Sequence, residues 1–322
     1  MDVDVNILES IEKVAMTTTS LPRTAETVTR RWRRDRRDWR GWAFVAPFMV
    51  VFVAMIIAPV VYALYLSFFR EQLIGGNVFA GFSNYAAVFQ DAKFWESFGR
   101  VTLFLVVQVP IMLVLSLIAA LALDSARLHG ARFFRIAIFL PYAVPGVVAA
   151  LIWGFIYGDQ FGLAGSINDL LGAHVLQPFS ASWILPSIGN IVTWEFMGYN
   201  MLIFYAALKV VPGELYEAAE IDGAGQIRTI VSIKIPALRG ALVIATVFSI
   251  IGSFQLFNEP NLLKTLAPNV ISSYFTPNMY AYNLSFAGQQ FNYAATVAIV
   301  MGIITAVIAY VVQSRGSRQE DF

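Results

Sequence analysis

Residues 211–236 read Val211-Pro-Gly-Glu-Leu-Tyr-Glu-Ala-Ala-Glu-Ile-Asp-Gly-Ala-Gly225, then Gln226-Ile-Arg-Thr-Ile-Val-Ser-Ile-Lys-Ile-Pro236. Pro212 and Gly213 stop any helix arriving from the amino-terminal side. The run Glu214 to Ile221 then predicts a short helix, with acidic residues in the first turn where the helix dipole favours them. Gly223 and Gly225 permit a sharp turn that a residue with a Cβ resists. A second short helix is expected from Gln226 to Ile233, leading to Pro236. The stretch is a polar helix, turn and helix set between two strongly apolar neighbours.

Working outward, apolar runs fill most of the remaining chain. A helix needs about 20 mostly apolar residues to cross a hydrocarbon core of roughly 30 Å. Six runs meet this length, at about 42–69, 101–123, 133–157, 183–208, 236–258 and 292–313. The fourth is apolar apart from Glu195. Helices buried in a large soluble core would show a polar face on most of these runs, and they do not. The fold class expected is an all-α polytopic membrane protein with six transmembrane helices. Its membrane domain covers 41–313, between a basic segment at 1–40 and a short tail at 314–322.

Composition agrees. The 322 residues are 58% hydrophobic and 13% charged, about half the charged share of a soluble domain. The net charge of +1 provides no field for nucleic acid, and no nucleic-acid partner is expected. With no cysteine, disulfides, thiolate nucleophiles and sulfur-ligated metals are excluded.

The basic residues are placed asymmetrically. Of the 22, all but Arg70, Lys93, Arg100 and Lys264 fall before helix 1, in the second-to-third and fourth-to-fifth connections and their edges, or in the tail. Cytoplasmic loops are enriched in Lys and Arg, so both termini are expected in the cytoplasm. The apolar run after residue 40 is about twice the length of a secretory h-region and lacks a small-residue cleavage site, which reads as a retained signal anchor. Arg30 to Arg40, interleaved with Trp32 and Trp39, reads either as a contact for anionic membrane lipid or as a plain orientation signal.

At residues 217–236 a family resemblance enters. Glu217-Ala218-Ala219, Asp222-Gly223-Ala224, Ile233 and Ile235-Pro236 resemble the EAA loop of bacterial ABC importer permeases, where this loop is the coupling helix docked on the ATPase. Ile235 stands where the family more often has Leu, and Ile230 where an aromatic is common. Gly81-Phe82-Ser83-Asn84-Tyr85 with Phe94-Trp95 resembles the outer loop before helix 2 in the carbohydrate branch. Pro141, Pro145, Trp153, Gly162 and Asn168 are similar to the stretch through helix 3 in the first of the paired sugar permeases, and Pro212 and Glu214 recur in that branch. After helix 5 the family often has Thr-Gly-Gly-Pro; here Asn258-Glu259-Pro260-Asn261 through Pro268-Asn269 stands instead.

The resemblance implies a type I ABC importer permease (MetI-like) fold without extra amino-terminal helices, localised to the bacterial plasma membrane. It implies coupling residues Glu214, Glu217, Ala218, Ala219, Asp222, Gly223, Ala224 and Pro236. It also implies a second permease subunit in a heterodimer, dimeric ABC ATPase subunits and an extracytoplasmic sugar-binding protein. No phosphate-binding loop is present in the chain, so ATP and Mg are expected on the ATPase and no cofactor here. No catalytic or metal-ligating residue is expected.

A substrate path is expected around Glu195, where an ionisable group at mid-span faces a cavity or a partner. Trp194, Tyr199, Asn200 and Tyr205 surround it, and Ser249, Ser253 and Gln255 in helix 5 add polar groups. Aromatic faces stack on sugar C–H bonds, while carboxylates and amides bond hydroxyls. The other reading makes Glu195 a subunit contact and the aromatics an interfacial belt. Within the branch, glycerol phosphate or another polyol is an alternative substrate. A secondary transporter would carry several intramembrane carboxylates and paired broken helices. A membrane enzyme would need a polar cluster, yet His129 and His174 fall on opposite expected sides.

Overall fold

The computed structural model describes residues 39–72, 76–125 and 128–317. The basic segment and its Arg30 to Arg40 cluster lie outside these residues, apart from the helical backbone of Trp39 and Arg40. The chain divides into two units, 1–56 and 57–322. Helix α1 (Trp39–Phe52) belongs to the first and leads into a π turn at Val53–Ile57. Its Trp42, Phe44 and Phe48 are exposed, so this helix offers an apolar surface suited to lipid.

The second unit begins with α2 (Ala58–Ser67). A two-stranded antiparallel hairpin comes next, β1 (Phe69–Gln72) with β2 (Gly76–Phe79), in the register Phe69↔Phe79. The apolar runs gave no sign of it. Buried Asn84, in α3 (Ser83–Gln90), donates to Ser67 O at 2.9 Å and Phe69 O at 2.8 Å, which fastens the hairpin to the end of α2.

Among the described residues, five helices are long and apolar enough to cross a membrane: Gly41–Ser67, Ala92–Asp124, Ile184–Val210, Arg239–Leu263 and Phe291–Gly316. The second, α4 (Ala92–Asp124), starts well before residue 101, where the uncharged run begins. Asp91 caps it by accepting from the Lys93 backbone N–H at 2.9 Å.

The expected third span at 133–157 is not one rod. It consists of α5 (Ala131–Phe139), a 3₁₀ turn at Leu140–Ala143 and α6 (Gly146–Ile156), bent by 100°. Pro145 has no N–H to give the helical ladder, and it pushes Val144 into extended backbone with ψ 128°. The pair counts as a sixth span if taken together.

Helix α7 (Leu163–Leu171) precedes α8 (Ile184–Val210), whose long face packs on α4. The connection at 212–236 forms α9 (Gly213–Ile221), α10 (Gln226–Thr229), a π turn at Ile230–Lys234 and α11 (Ile235–Ala237). The second helix expected there is thus shortened. A wide turn replaces its last residues, because Pro236 cannot donate to the Ser232 carbonyl four residues back. The fifth span is α12 (Arg239–Phe254) continued by the short α13 (Asn258–Leu263), with helical geometry lost at Phe257. Then come α14 (Pro277–Phe286) and α15 (Phe291–Ser317), the latter running past the expected end at 313.

Three buried clusters hold the second unit together. Ile184, Ile188 and Ile191 of α8 meet Leu263, Ile271 and Met279. Phe94 and Val101 of α4 meet Phe254 and Val297. Ala120 and Leu123 meet Met201, Phe204 and Leu238.

Outside the spans, Asp91 gathers two further donors. Tyr280 donates to its Oδ2 at 2.5 Å and Tyr293 at 2.8 Å, so the cap of α4 also ties α14 and α15. Burial alone would raise the Asp91 carboxyl, but these hydrogen bonds and the backbone N–H groups of Lys93 and Phe94 outweigh it and hold the pKa below the usual value. The Asp91 contribution to stability is therefore complete above the ordinary carboxylate range and is lost as pH falls through the lowered value. We expect the purified protein to melt at lower temperature as pH drops from about 5 to about 3, and expect Asp91→Asn to flatten that dependence. A profile of unchanged slope in the variant would remove Asp91 as a source of acid sensitivity.

Candidate functional sites

The first site is a cavity of about 400 Å³ within the second unit. Its α8 wall consists of Val192, Phe196, Tyr199 and Asn200, spaced i, i+4, i+7 and i+8, which is one helix face. Tyr142, from the 3₁₀ turn of the broken span, stacks on Tyr199 with centroids 4.8 Å apart and planes at 19°, and meets Phe196 edge-on at 5.9 Å. Ser249, Ser253 and Gln255 contribute from the fifth span and its end, with Asn258 and Glu259 beyond them. Gln108 and Met112 of α4 line another side. Gln108 donates to Thr193 Oγ1 at 3.2 Å, while its Oε1 has no hydrogen-bond partner among the described residues. Asn200 donates to Phe196 O at 3.1 Å, which leaves its carbonyl oxygen available.

Five of the eight expected path residues line this cavity: Tyr199, Asn200, Ser249, Ser253 and Gln255. Trp194, Glu195 and Tyr205 do not. At about 100° per residue, Trp194 and Tyr205 project from the opposite side of α8. Trp194 meets Trp153 edge-on at 5.9 Å. Tyr205 accepts from Arg135 Nη2 at 3.2 Å and lies under the Arg135 and Lys209 cations at 4.5 and 5.1 Å.

Glu195 is 4% exposed, and its Oε2 has no hydrogen-bond partner among the described residues. It turns toward the break in the third span, where a Cβ on Gly146 would lie 3.4 Å from Glu195 Oε1 and 3.6 Å from Glu259 Oε1. Both carboxylates thus approach the backbone at the start of α6. Tyr142, Phe196, Gln108 and Glu259 escaped the sequence reading. The signal within reach was the spacing of Val192, Phe196 and Asn200 along one face.

The second site is the 212–236 connection. Helix α9 ends in a Schellman turn: Gly223 N–H bonds Glu220 O at 3.0 Å, and Ala224 N–H bonds Ala219 O at 2.8 Å. Gly223 takes φ +71°, the left-handed conformation this turn requires. Glu214, Glu217, Ala218, Asp222 and Gly223 are exposed, whereas Ala219, Ala224 and Pro236 are half-buried. Ile221 at 87% and Ile227 at 79% exposure flank the turn. An apolar pair rimmed by acids, on a helix end fixed by its own backbone bonds, is a suitable docking face.

The profile of the family described as binding-protein-dependent transport system inner membrane component matches residues 80–317. The chain is 34% identical over 250 residues to the diacetylchitobiose uptake system permease protein NgcF of Streptomyces coelicolor, covering 73% of this chain and 69% of that one. It is 32% identical over 279 residues to the lactose transport system permease protein LacF of Rhizobium radiobacter, covering 83% and 90%. Among solved structures it resembles a chain of a bacterial ABC transporter that imports the acidic polysaccharide alginate. The TM-score is 0.77 at 19% identity, over 90% of this chain and 99% of that one. With its multi-pass helical architecture, the chain belongs to the binding-protein-dependent transport system inner membrane component family and is a permease subunit of an ABC importer.

Proposed function

We propose that this chain forms one half of the translocation pathway of an ATP-driven sugar importer. The observation that carries this reading is the cavity, where stacked Tyr142 and Tyr199 stand beside Asn200, Ser249, Gln255 and Asn258. Aromatic faces and neutral hydrogen-bonding groups together suit a polyhydroxylated solute. The saccharide names of the relatives support it. Among the described residues, no Lys or Arg lines the cavity and Glu259 does, which favours an uncharged sugar over glycerol phosphate.

The partners accord with the permease role: a second permease subunit, two ATPase subunits that hold ATP and Mg, and an extracytoplasmic binding protein. A relative's structure is a complex with a substrate-bound periplasmic protein. We place the 212–236 connection and both termini in the cytoplasm, because Arg135, Lys209, Arg228, Lys234 and Arg239 gather on and beside that connection. The loaded binding protein docks outside, ATP closes the ATPase dimer, and the connection passes that movement to the spans. The cavity then opens outward, takes the sugar, and resets after hydrolysis.

The test is to purify the chain with its associated subunits, reconstitute them and measure uptake of neutral saccharides against glycerol phosphate. Uptake of the phosphate alone would overturn the sugar assignment. Tyr199→Ala removes the stack and is expected to raise the uptake KM about two- to tenfold. Glu195→Gln reports separately on the hidden carboxylate: wild-type rates with every sugar would take Glu195 out of the path.

A further inference from the structure

The 212–236 connection is flanked by Lys209, in the last turn of α8, and contains Lys234, at the end of its π turn. Both ammonium groups reach the same carboxylate. Lys209 Nζ lies 2.8 Å from Asp124 Oδ1 and Lys234 Nζ lies 2.5 Å from Asp124 Oδ2. Asp124 is the last residue of α4 and its side chain is 8% exposed; that of Lys234 is 15% exposed and that of Lys209 54%, so the Lys234 arm is the sheltered one. One buried acid thus spans the base of the loop, with one oxygen for each end.

A third contact reaches the loop itself. The Lys234 ammonium sits over the Tyr216 ring of α9, 5.4 Å from its centroid. Burial, and after it the nearby Asp124 carboxylate, push the Tyr216 phenol above its ordinary value. The helix proposed to meet the ATPase is therefore within electrostatic reach of Asp124.

Between these anchors the loop is a series of short helices. The left-handed Gly223, Gly225 and the π turn interrupt it, so no continuous α-helix joins one anchor to the other. Held only at its covalent ends, it would absorb a push by bending. Breaking the sheltered Asp124–Lys234 pair leaves an uncompensated charge and is unfavourable, whereas the half-exposed Lys209 arm is weaker.

We propose that Asp124 is a positioning residue that clamps both ends of the coupling loop to α4, so that a force on the loop reaches the helix lining one side of the cavity. This rests on the coupling role assigned above. Gln108 and Met112 stand on the cavity wall about three to four turns before the Asp124 end of the same helix, which gives the force a direct route.

The test uses the intact complex, with retention of the chain during co-purification as the control. In Asp124→Asn, which keeps the shape and deletes the charge, residues 212–236 should exchange amide hydrogen faster. Uptake and sugar-stimulated ATPase should fall about tenfold, while Asp124→Glu restores much of both. Lys234→Met added to Asp124→Asn should cost little more, because the shared contact is already gone. Should Asp124→Asn fail to assemble, Lys209→Met and Lys234→Met each break one arm and should each show the faster exchange and a partial loss of uptake.

Wild-type exchange and uptake in Asp124→Asn, or fully additive losses in the pair, would overturn the clamp. Glu217→Lys, on the docking face and away from the clamp, separates the two ideas. If it abolishes stimulated ATPase while Asp124→Asn behaves as wild type, the clamp alone falls. If Glu217→Lys is silent but Asp124→Asn exchanges faster, the clamp holds the loop and the docking assignment falls.

Discussion

Replacing Gly198 by leucine is expected to prevent accumulation of the folded chain, and replacing it by alanine to lower the melting temperature of the solubilised protein by several degrees. Gly198 is buried in α8 where the end of α5 crosses it. A Cβ there would overlap the Ile138 carbonyl oxygen and lie 2.7 Å from both Ile138 C and Phe139 Cα. The obstacle is main chain, which cannot rotate aside as a flexible side chain can. Overpacking typically costs about 1–3 kcal/mol, and moving the first limb of the broken span adds to that because it carries Tyr142 with it. Gly302 provides the control. Among the described residues nothing lies within 4 Å of its added Cβ, so Gly302→Ala should be tolerated in this chain. Fluorescence-detected size exclusion after a heat step reads both variants. Equal melting for Gly198→Ala and Gly302→Ala would mean that the crossing has slack to absorb a methyl group.

The second large effect is expected in the coupling loop. Gly223→Pro demands φ near −65° where the backbone holds +71°, and it deletes the N–H that bonds Glu220 O. The Schellman turn should open and swing Ile221 and Ile227 apart. Glu217→Lys leaves that shape alone and reverses one charge on an exposed acidic face, which would cost several kcal/mol against a partner surface complementary to those acids. Both variants should remain in the membrane, since neither touches a buried cluster. Stimulated ATPase and uptake should both fall by roughly 100-fold. Normal transport in either variant would contradict the docking face.

The spans were legible because a bilayer demands long apolar segments, and six such runs have no other use. Their ends were less so. Helix α4 begins at Ala92 because Asp91 caps it, although Lys93, Glu96 and Arg100 interrupt the apolar pattern there. The 100° bend falls at Pro145, and both limbs and the turn between them pack against α8. The α9 helix and its glycine turn were readable locally, because a left-handed Gly223 needs only its own neighbours. The cavity was half readable. Tyr199 and Asn200 stood out as polar aromatics and amides in an apolar run. Tyr142, Glu259 and Gln108 are brought to them from three other segments, and no local pattern carries that information.

The two π turns, Val53–Ile57 and Ile230–Lys234, each end two residues before a proline, Pro59 and Pro236. A wide turn accommodates one more residue than an α turn would. Adding a further residue to Ile230–Lys234, beyond the one that the wide turn absorbs, would rotate α11 by about 100° relative to α10. Lys234 would then swing off Asp124, and Leu238 would leave its place against Phe204 and Leu208. The length of this segment is therefore fixed more firmly than its composition: substitutions on its exposed face are open to drift, whereas a one-residue insertion is not.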